Sequence, residues 1–336
     1  MIRVAILGAT GYTAVELITL LLRHSEVEIT ALTTRSDDRP HVSQVHPALT
    51  GRLNMYLENL SAKEVAQRAE CVFCCLPHKA SAERIPEFLD AGCRVIDLSA
   101  DYRLDSAHVF RQWYEVDHPD AERLGHVPYG LPELFRSDIR GAQLIANPGC
   151  YPTSAILALG PLLKEKLIKN DGIIIDSKSG ASGAGRSAKQ NLLYCEVNEG
   201  FSAYGVGVHR HTPEIEQVLT KMAAAPVDVI FTPHLVPMER GILTTTYSFP
   251  VVNVTQAQIL DFLRDFYRTE PFIRVTETLP NTRDCRFTNF VNITARVVKN
   301  RVITVSALDN LIKGAAGAAV QNFNLAYGFP ETNALL

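Results

Sequence analysis

The chain opens MIRVAILGATGYTAVELITLLLR: a short β-rich run, then Gly8 and Gly11, then apolar residues recurring at helical spacing. A strand that meets a glycine turn and passes at once into an amphipathic helix must bury its strand in a sheet and lay its helix across one face. A second β-rich run, EITALTT, follows the helix and completes a βαβ unit of about 30 residues. Strands are predicted again at CVFCCLP, RVIDLS and QLIANP, with helical stretches such as SAKEVAQRA and ASAERIPEFLDAG between them. Regular alternation of this kind gives an α/β fold, a doubly wound, mostly parallel Rossmann-type sheet covered on both faces.

The glycine pattern is G-x-x-G-x-x-A, made by Gly8, Gly11 and Ala14. Gly8 permits the tight turn, Gly11 lets backbone approach a pyrophosphate, and a small residue at 14 allows close packing of the helix. The candidate dinucleotide contacts in this loop are Gly8, Thr10, Gly11, Tyr12 and Thr13. At the end of the second strand the chain reads TTRSDD, which puts Arg35 and Ser36 where NAD-binding chains carry an acidic residue. A guanidinium suits a 2′-phosphate, so NADP is the expected cofactor; a register shift of two would bring Asp37 or Asp38 there and suit NAD.

The chain has 336 residues, enough for two domains, and a formal net charge of −3 with no basic run. Neither a nucleic-acid nor a membrane-surface partner is expected from that balance. No stretch reaches the length of a membrane span and the N-terminus lacks the pattern of a cleaved leader, so a soluble, cytoplasmic protein is expected. Seven cysteines, an odd number without a secretion signal, read as free thiols. Those in ECVFCCLP lie in an apolar strand and read as core, not as a zinc site, and no metal is expected.

One cysteine differs. Cys150 lies in NPGCYPT, directly before SAILALGPLLKEKLI, whose spacing predicts a helix, and before the strand GIIIDSKSG. A thiol at a helix start faces unpaired N–H groups and the positive end of the dipole, which favour the nucleophilic thiolate. Its base is sought in GVGVHRHTPEIEQVL, where Thr212 is predicted to cap a helix that has Pro213 at its first position. Either His211 or His209 can serve, and Glu214, three residues after His211, is placed to orient an imidazole. SKSGASGAGR forms a flexible anion cradle ending in Arg186. Arg103, Asn147, Ser179, Arg186 and Arg240 are the candidate substrate or phosphate contacts.

Taken in order, GATGYTA, DLSADYRL, NPGCYPT, SGASGAGR, HRHTPEI, PMERGIL and DNLIKGAAGAAVQN closely resemble the N-acetyl-gamma-glutamyl-phosphate reductase family of arginine biosynthesis, over nearly the whole chain. The resemblance implies kinship with aspartate-semialdehyde dehydrogenases and, more distantly, glyceraldehyde-3-phosphate dehydrogenase. It implies an NADP-binding domain of residues 1–148 plus 311–336, and an α+β catalytic and oligomerisation domain of residues 149–310. It places the nucleophile on Cys150 and the acid/base in HRHTPEI, with His211 preferred for its neighbour Glu214. Ser182, Gly183 and Asn310 become cofactor contacts, Asn310 toward the nicotinamide. The implied reaction is NADPH-dependent reduction of an acyl phosphate through a cysteine thioester, in a homodimer or homotetramer. Aspartate-semialdehyde dehydrogenase, an aminoadipyl-phosphate reductase and a non-catalytic NADP sensor are the competing readings. Two departures stand out: Ala14 replaces the third glycine, and Lys79 in LPHKAS stands where a glycine is expected.

Overall fold

The structure is a computed structural model that describes residues 1–336. It divides into two compact units, Met1–Pro148 with Ala315–Leu336, and Gly149–Gly314. The sequence reading returns the chain to the first unit at residue 311; residues 311–314 instead stay with the second. Asp309 holds them there: its Oδ1 accepts the N–H of Leu311 and of Ile312, at 2.8 and 3.0 Å.

The first unit is built on β1 (Ile2–Leu7), β2 (Val27–Thr33), β3 (Leu57–Glu58), β4 (Cys71–Cys74), β5 (Arg94–Asp97) and β6 (Leu144–Ala146), in the order β3-β2-β1-β4-β5-β6. Every pairing is parallel. The strand order reverses between β1 and β4, and at such a switch point the loops diverge to leave a crevice. The glycine turn leaves β1 there. Gly8 has φ +69°, and a Cβ on it would lie 2.6 Å from the carbonyl oxygen of Cys75, so both its conformation and its neighbour require glycine. Gly11 caps the first helix, Tyr12–Leu21, and a Cβ on it would meet only the Gly8 oxygen at 4.0 Å. That open space above a helix start suits an anionic ligand.

The first helix buries Ala14, Leu17, Ile18, Leu20 and Leu21, and packs on the last helix, Gly317–Tyr327. That last helix is buried from Gly317 to Ala326. A helix buried on all sides must satisfy its polar groups internally. Asn322 does so by donating to Gly130 O and Asn147 Oδ1, both at 2.9 Å, and Gln321 by donating to Glu133 at 3.0 Å. The tightest approach is at Gly130, where a Cβ would fall 2.4 Å from the Asn322 amide nitrogen.

The second unit carries β7 (Ile173–Gly180), β8 (Ser202–Ala203), β9 (Val229–Val236), β10 (Ile242–Ser248), β11 (Ile273–Val275), β12 (Val291–Val298) and β13 (Arg301–Leu308). They form one mixed sheet in the order β11-β12-β13-β10-β7-β9-β8. The helix Cys150–Lys164 lies across β10 and β13 and packs on the helix His211–Ala223. Hydroxyls join helix to sheet: Ser154 meets Thr244 at 2.7 Å, and Thr244 meets Ser177 at 2.8 Å, all three fully buried. No helix in the chain is long and apolar enough to cross a membrane.

Lys79, at the position where the resemblance leads one to expect glycine, adopts φ +76° and donates its N–H to Asp101 at 2.7 Å. A side chain in the left-handed region is strained by roughly 1–2 kcal/mol. Lys79→Gly should therefore raise stability, by about 0.5–1 kcal/mol after glycine's larger unfolded-state entropy is subtracted. A urea midpoint that fell on substitution would refute this account.

Candidate active site

Cys150 is the first residue of its helix, with extended Gly149 (φ −72°, ψ 154°) in the capping position. The thiol is half-buried, and the first-turn N–H groups around it have no helical carbonyl to meet. Gly314 passes directly beside it: a Cβ on Gly314 would lie 2.7 Å from the Cβ of Cys150. Gly314 belongs to a π-helical turn, Ile312–Ala316, in which its N–H reaches back five residues to Asp309 O at 2.9 Å. Such wider turns recur at functional sites.

Glu214 is 1% exposed, and its Oε1 accepts the N–H of Gly149 at 2.8 Å. The carboxylate three residues after His211 thus holds the residue immediately before the thiol. His209 and His211 are brought together in an aromatic cluster: their ring centroids are 4.9 Å apart, and Tyr151 lies 5.7 Å from His209 and 5.9 Å from His211. Phe231 and Tyr204 flank His209 at 5.3 and 5.5 Å. Burial first, and then the charge of Arg210, lower His209 to a pKa of about 4, so its imidazole is neutral at physiological pH. One expectation is corrected here. The helix begins at His211 with Arg210 in the capping position, so Thr212 is not its cap and Pro213 is its third residue. Proline is still harmless there, because first-turn N–H groups have no helical acceptor.

A second constellation gathers at the ends of β7 and β13. Asn310 donates to Ser182 Oγ at 3.0 Å and accepts the N–H of Gly241 at 2.7 Å. Gly183 sits beside them, since a Cβ on it would lie 3.0 Å from Ser179 Oγ and 3.6 Å from the Asn310 amide. Arg240, only 4% exposed, pairs with fully buried Asp309 at 3.1 Å and stacks on Phe287 with its guanidinium carbon 4.6 Å from the ring centre. In the first unit Arg103 is likewise buried, donating to the carbonyls of Asn147 at 2.7 Å and Leu98 at 3.0 Å. Arg186 lies on an exposed stretch. Beyond β2, Arg35 is exposed, while Ser36 donates to Asp38 at 2.8 Å and Asn59 donates to Asp37 at 2.9 Å. No cluster of three or more His, Cys, Asp or Glu side chains suited to a metal ion forms in the chain.

The residues that sequence reasoning missed are Tyr151, Tyr204, Asp309 and Gly314. Tyr204 donates to the phenol of Tyr151 at 3.0 Å, and Tyr151 donates to His234 O at 3.2 Å. Adjacency to Cys150 signals Tyr151, and the KGAAGAA run signals Gly314; nothing local signals Tyr204.

A parallel-sheet unit with a glycine turn, followed by a mixed-sheet unit with a cysteine at a helix start, falls in the semialdehyde dehydrogenase class by the family models that match the two units. Two family models agree: semialdehyde dehydrogenase, NAD binding domain, matches residues 3–142, and semialdehyde dehydrogenase, dimerisation domain, matches residues 150–310. Among solved structures, aspartate semialdehyde dehydrogenase II of Vibrio cholerae complexed with ASA aligns over 97% of this chain and 98% of its own, with TM-score 0.72 at 19% identity. The Candida albicans aspartate semialdehyde dehydrogenase with NADP aligns over 97% and 98%, with TM-score 0.66 at 14% identity. These share the fold. N-acetyl-gamma-glutamyl-phosphate reductase of Rhodopirellula baltica is 50% identical, covering 100% of this chain and 98% of its own. The Geotalea daltonii protein of that name is 53% identical, covering 98% and 97%. The chain belongs to the N-acetyl-gamma-glutamyl-phosphate reductase family.

The seven thiols should separate by reactivity. Cys71, Cys74, Cys93 and Cys285 are buried, and Cys75 is partly so. Burial pushes Cys71 up to about 12 and Cys285 up to about 11, which suppresses their thiolates. Native iodoacetamide labelling read by peptide mapping should modify Cys150 and exposed Cys195 alone, with Cys150 the faster. Equal rates at those two would remove the case for an activated thiol.

Proposed function

We propose that the chain reduces N-acetyl-glutamyl 5-phosphate to N-acetyl-glutamate 5-semialdehyde and phosphate with NADPH, as a step of arginine biosynthesis. One observation carries the reading: a half-buried thiol opens a helix whose capping residue is held by a glutamate from the histidine-bearing helix, in a chain half-identical to reductases of that name along its length. Cys150 Sγ, as thiolate, attacks the acyl carbon; the C–O bond to phosphate breaks, phosphate leaves, and a thioester remains on the sulfur. His211 takes the thiol proton and serves the carbonyl oxygen as it gains charge. First-turn N–H groups of the Cys150 helix are the donors for that oxyanion. Hydride is the chemistry supplied by a bound dinucleotide, and Cys150 is released when the thiohemiacetal collapses to the aldehyde. A thioester accepts hydride more readily than an ester, which is the advantage of sulfur over a serine oxygen here.

The dinucleotide fits the first unit at the Gly8–Ala14 loop, where Thr10, Gly11, Tyr12 and Thr13 surround the open helix start. NADP over NAD is supported by exposed Arg35 and by Asp37 and Asp38 having partners in Asn59 and Ser36. Ser182, Gly183 and Asn310 form a polar wall suited to the nicotinamide amide. For the departing phosphate, Arg186 and Ser179 are the candidate contacts, whereas Arg103 acts through the backbone that it holds at Asn147 and Leu98, and Arg240 through the carboxylate of Asp309. Seven free thiols suit the cytoplasm.

The reverse reaction provides the test. N-acetyl-glutamate semialdehyde with phosphate and NADP should be turned over, aspartate semialdehyde and the aminoadipyl analogue far less well, and NAD at least about tenfold less efficiently than NADP. Cys150→Ser should lose on the order of 10³-fold or more in kcat while still quenching NADPH fluorescence on binding. Retention of near-wild-type rate by that variant would overturn covalent catalysis.

The oligomer is read as a homodimer built on the outer face of the second sheet. Ile174 pairs with Ile230 on β9 and with Tyr247 on β10, and the three side chains, 41%, 60% and 36% exposed, form an apolar row. Contiguous exposed apolar surface marks an interface, and the matching family model carries the description of a dimerisation domain. Ile230→Asp should convert the dimer to monomer by analytical ultracentrifugation; an unchanged sedimentation coefficient would place the interface elsewhere.

A further inference from the structure

We propose that His209 is a positioning residue: its imidazole closes the start of the helix His211–Ala223 and so sets where His211 stands. The inference rests on the reading of His211 as acid/base and assigns its neighbour a role other than proton transfer or substrate contact.

Helices begin with N–H groups that no helical carbonyl reaches, and an extended Ser, Thr, Asn or Asp normally takes one of them. Here the capping position is Arg210, whose backbone is already helical (φ −61°, ψ −15°) and whose side chain caps nothing. The task falls one residue earlier. His209 Nδ1 accepts the N–H of His211 at 3.1 Å, and His209 O accepts the N–H of Thr212 at 2.9 Å. One residue thus satisfies two of the helix's first donors. With Nδ1 engaged as an acceptor, the ring proton is on Nε2.

The ring is also walled in. Tyr151, Tyr204 and Phe231 meet it edge-on at 5.7, 5.5 and 5.3 Å, and His211 at 4.9 Å. Gly205, at φ +56°, closes against it, since a Cβ there would lie 3.4 Å from His209 Cδ2. Arg210, His211, Tyr151 and Tyr204 are titratable or charged neighbours of the ring, with Cys150 beyond the two tyrosines, and the charge of Arg210 adds to burial in disfavouring an imidazolium. His209 therefore couples two elements: the first residue of the histidine helix by a hydrogen bond, and Tyr151, next to the nucleophile, by packing. An asparagine at 209 would reproduce the hydrogen bond through an Asx turn, because its side-chain oxygen reaches the N–H two residues on. A leucine would fill space without an acceptor.

The experiment compares His209→Asn, His209→Leu and His211→Asn by kcat, KM for semialdehyde and the pH profile of kcat/KM, with NADPH fluorescence confirming that each variant folds. Expected are a loss of about 10- to 100-fold in kcat for His209→Leu with KM within about threefold, and recovery by His209→Asn to within about fivefold of wild type. His211→Asn should lose about 10²- to 10⁴-fold and alter the profile, which both His209 variants leave in place. The proposal is overturned if His209→Asn is as impaired as His209→Leu, if the pH profile shifts in the His209 variants, or if KM rises in place of a fall in kcat. Should His209→Leu fail to bind NADPH, the asparagine variant alone decides. Full activity in both His211→Asn and Cys150→Ser would instead refute the underlying reading of the site, and with it this inference; loss in those two together with loss in His209→Asn would refute this inference alone.

Discussion

The second unit hangs on one buried carboxylate. Asp309, with no exposure, ends β13 and accepts four hydrogen bonds: Leu311 and Ile312 on one oxygen, Phe287 and Arg240 on the other. A fully buried charge is tolerable only when its lone pairs are met by donors and its charge by a partner, and this one has both. Its consequences run outward. The Leu311 and Ile312 bonds start the π-helical turn, that turn carries Gly314, and Gly314 passes so close to Cys150 that a Cβ on it would lie 2.7 Å from the Cys150 Cβ. Through Arg240 and the Asn310–Gly241 bond the same corner ties β9, β10 and the Ser182 loop to the end of β13. Motifs far apart in the chain, SGASGAGR, PMERGIL and DNLIKGAAG, meet in a single joint.

Much of the first unit was legible because it obeys local rules. Strand and helix periods differ, a glycine turn separates them, and β1, the first helix and β2 fall where those periods place them. The cofactor loop was legible for the same reason: Gly8 needs a positive φ and a neighbour within 2.6 Å of where its Cβ would be, and no other residue type meets both demands. Cys150 stood out among seven thiols by position alone, since a bend of proline and glycine before a helical run presents a side chain at the helix start.

What was not legible depends on distance in sequence or on unusual capping. Glu214 was read only as a partner for an imidazole three residues away; its bond to Gly149, which spans 65 residues, had no local sign. Arg103 and Arg240 were read as anion holders because a guanidinium pairs well with phosphate or carboxylate, and the sequence carries no sign that Arg103 lies against carbonyls and Arg240 against Asp309. The start of the histidine helix was misplaced by a residue or more because the expected cap, Thr212, belongs to the usual set, whereas the group that takes the first N–H is an imidazole. The π-helical turn has no period of its own to detect.

The burial of Arg103 and Arg240 bears on how an acyl phosphate is recognised. A guanidinium facing the leaving group would stabilise the charge that phosphate gains as its C–O bond breaks, and so favour the transition state over the ground state. Arg103 donates to Asn147 O and Arg240 pairs with Asp309, so each also tethers a chain segment that neighbours Cys150, the turn before it and the π-helical turn beside it. Donors at a helix start that face an oxygen gaining charge as a thiolate adds would interact more strongly along the reaction coordinate. On the proposed reading of the site, these buried guanidiniums serve to hold the chain in place beside the reacting thiol. The departing anion is left, on that reading, to N–H groups and to Arg186, whose exposure suits release of phosphate.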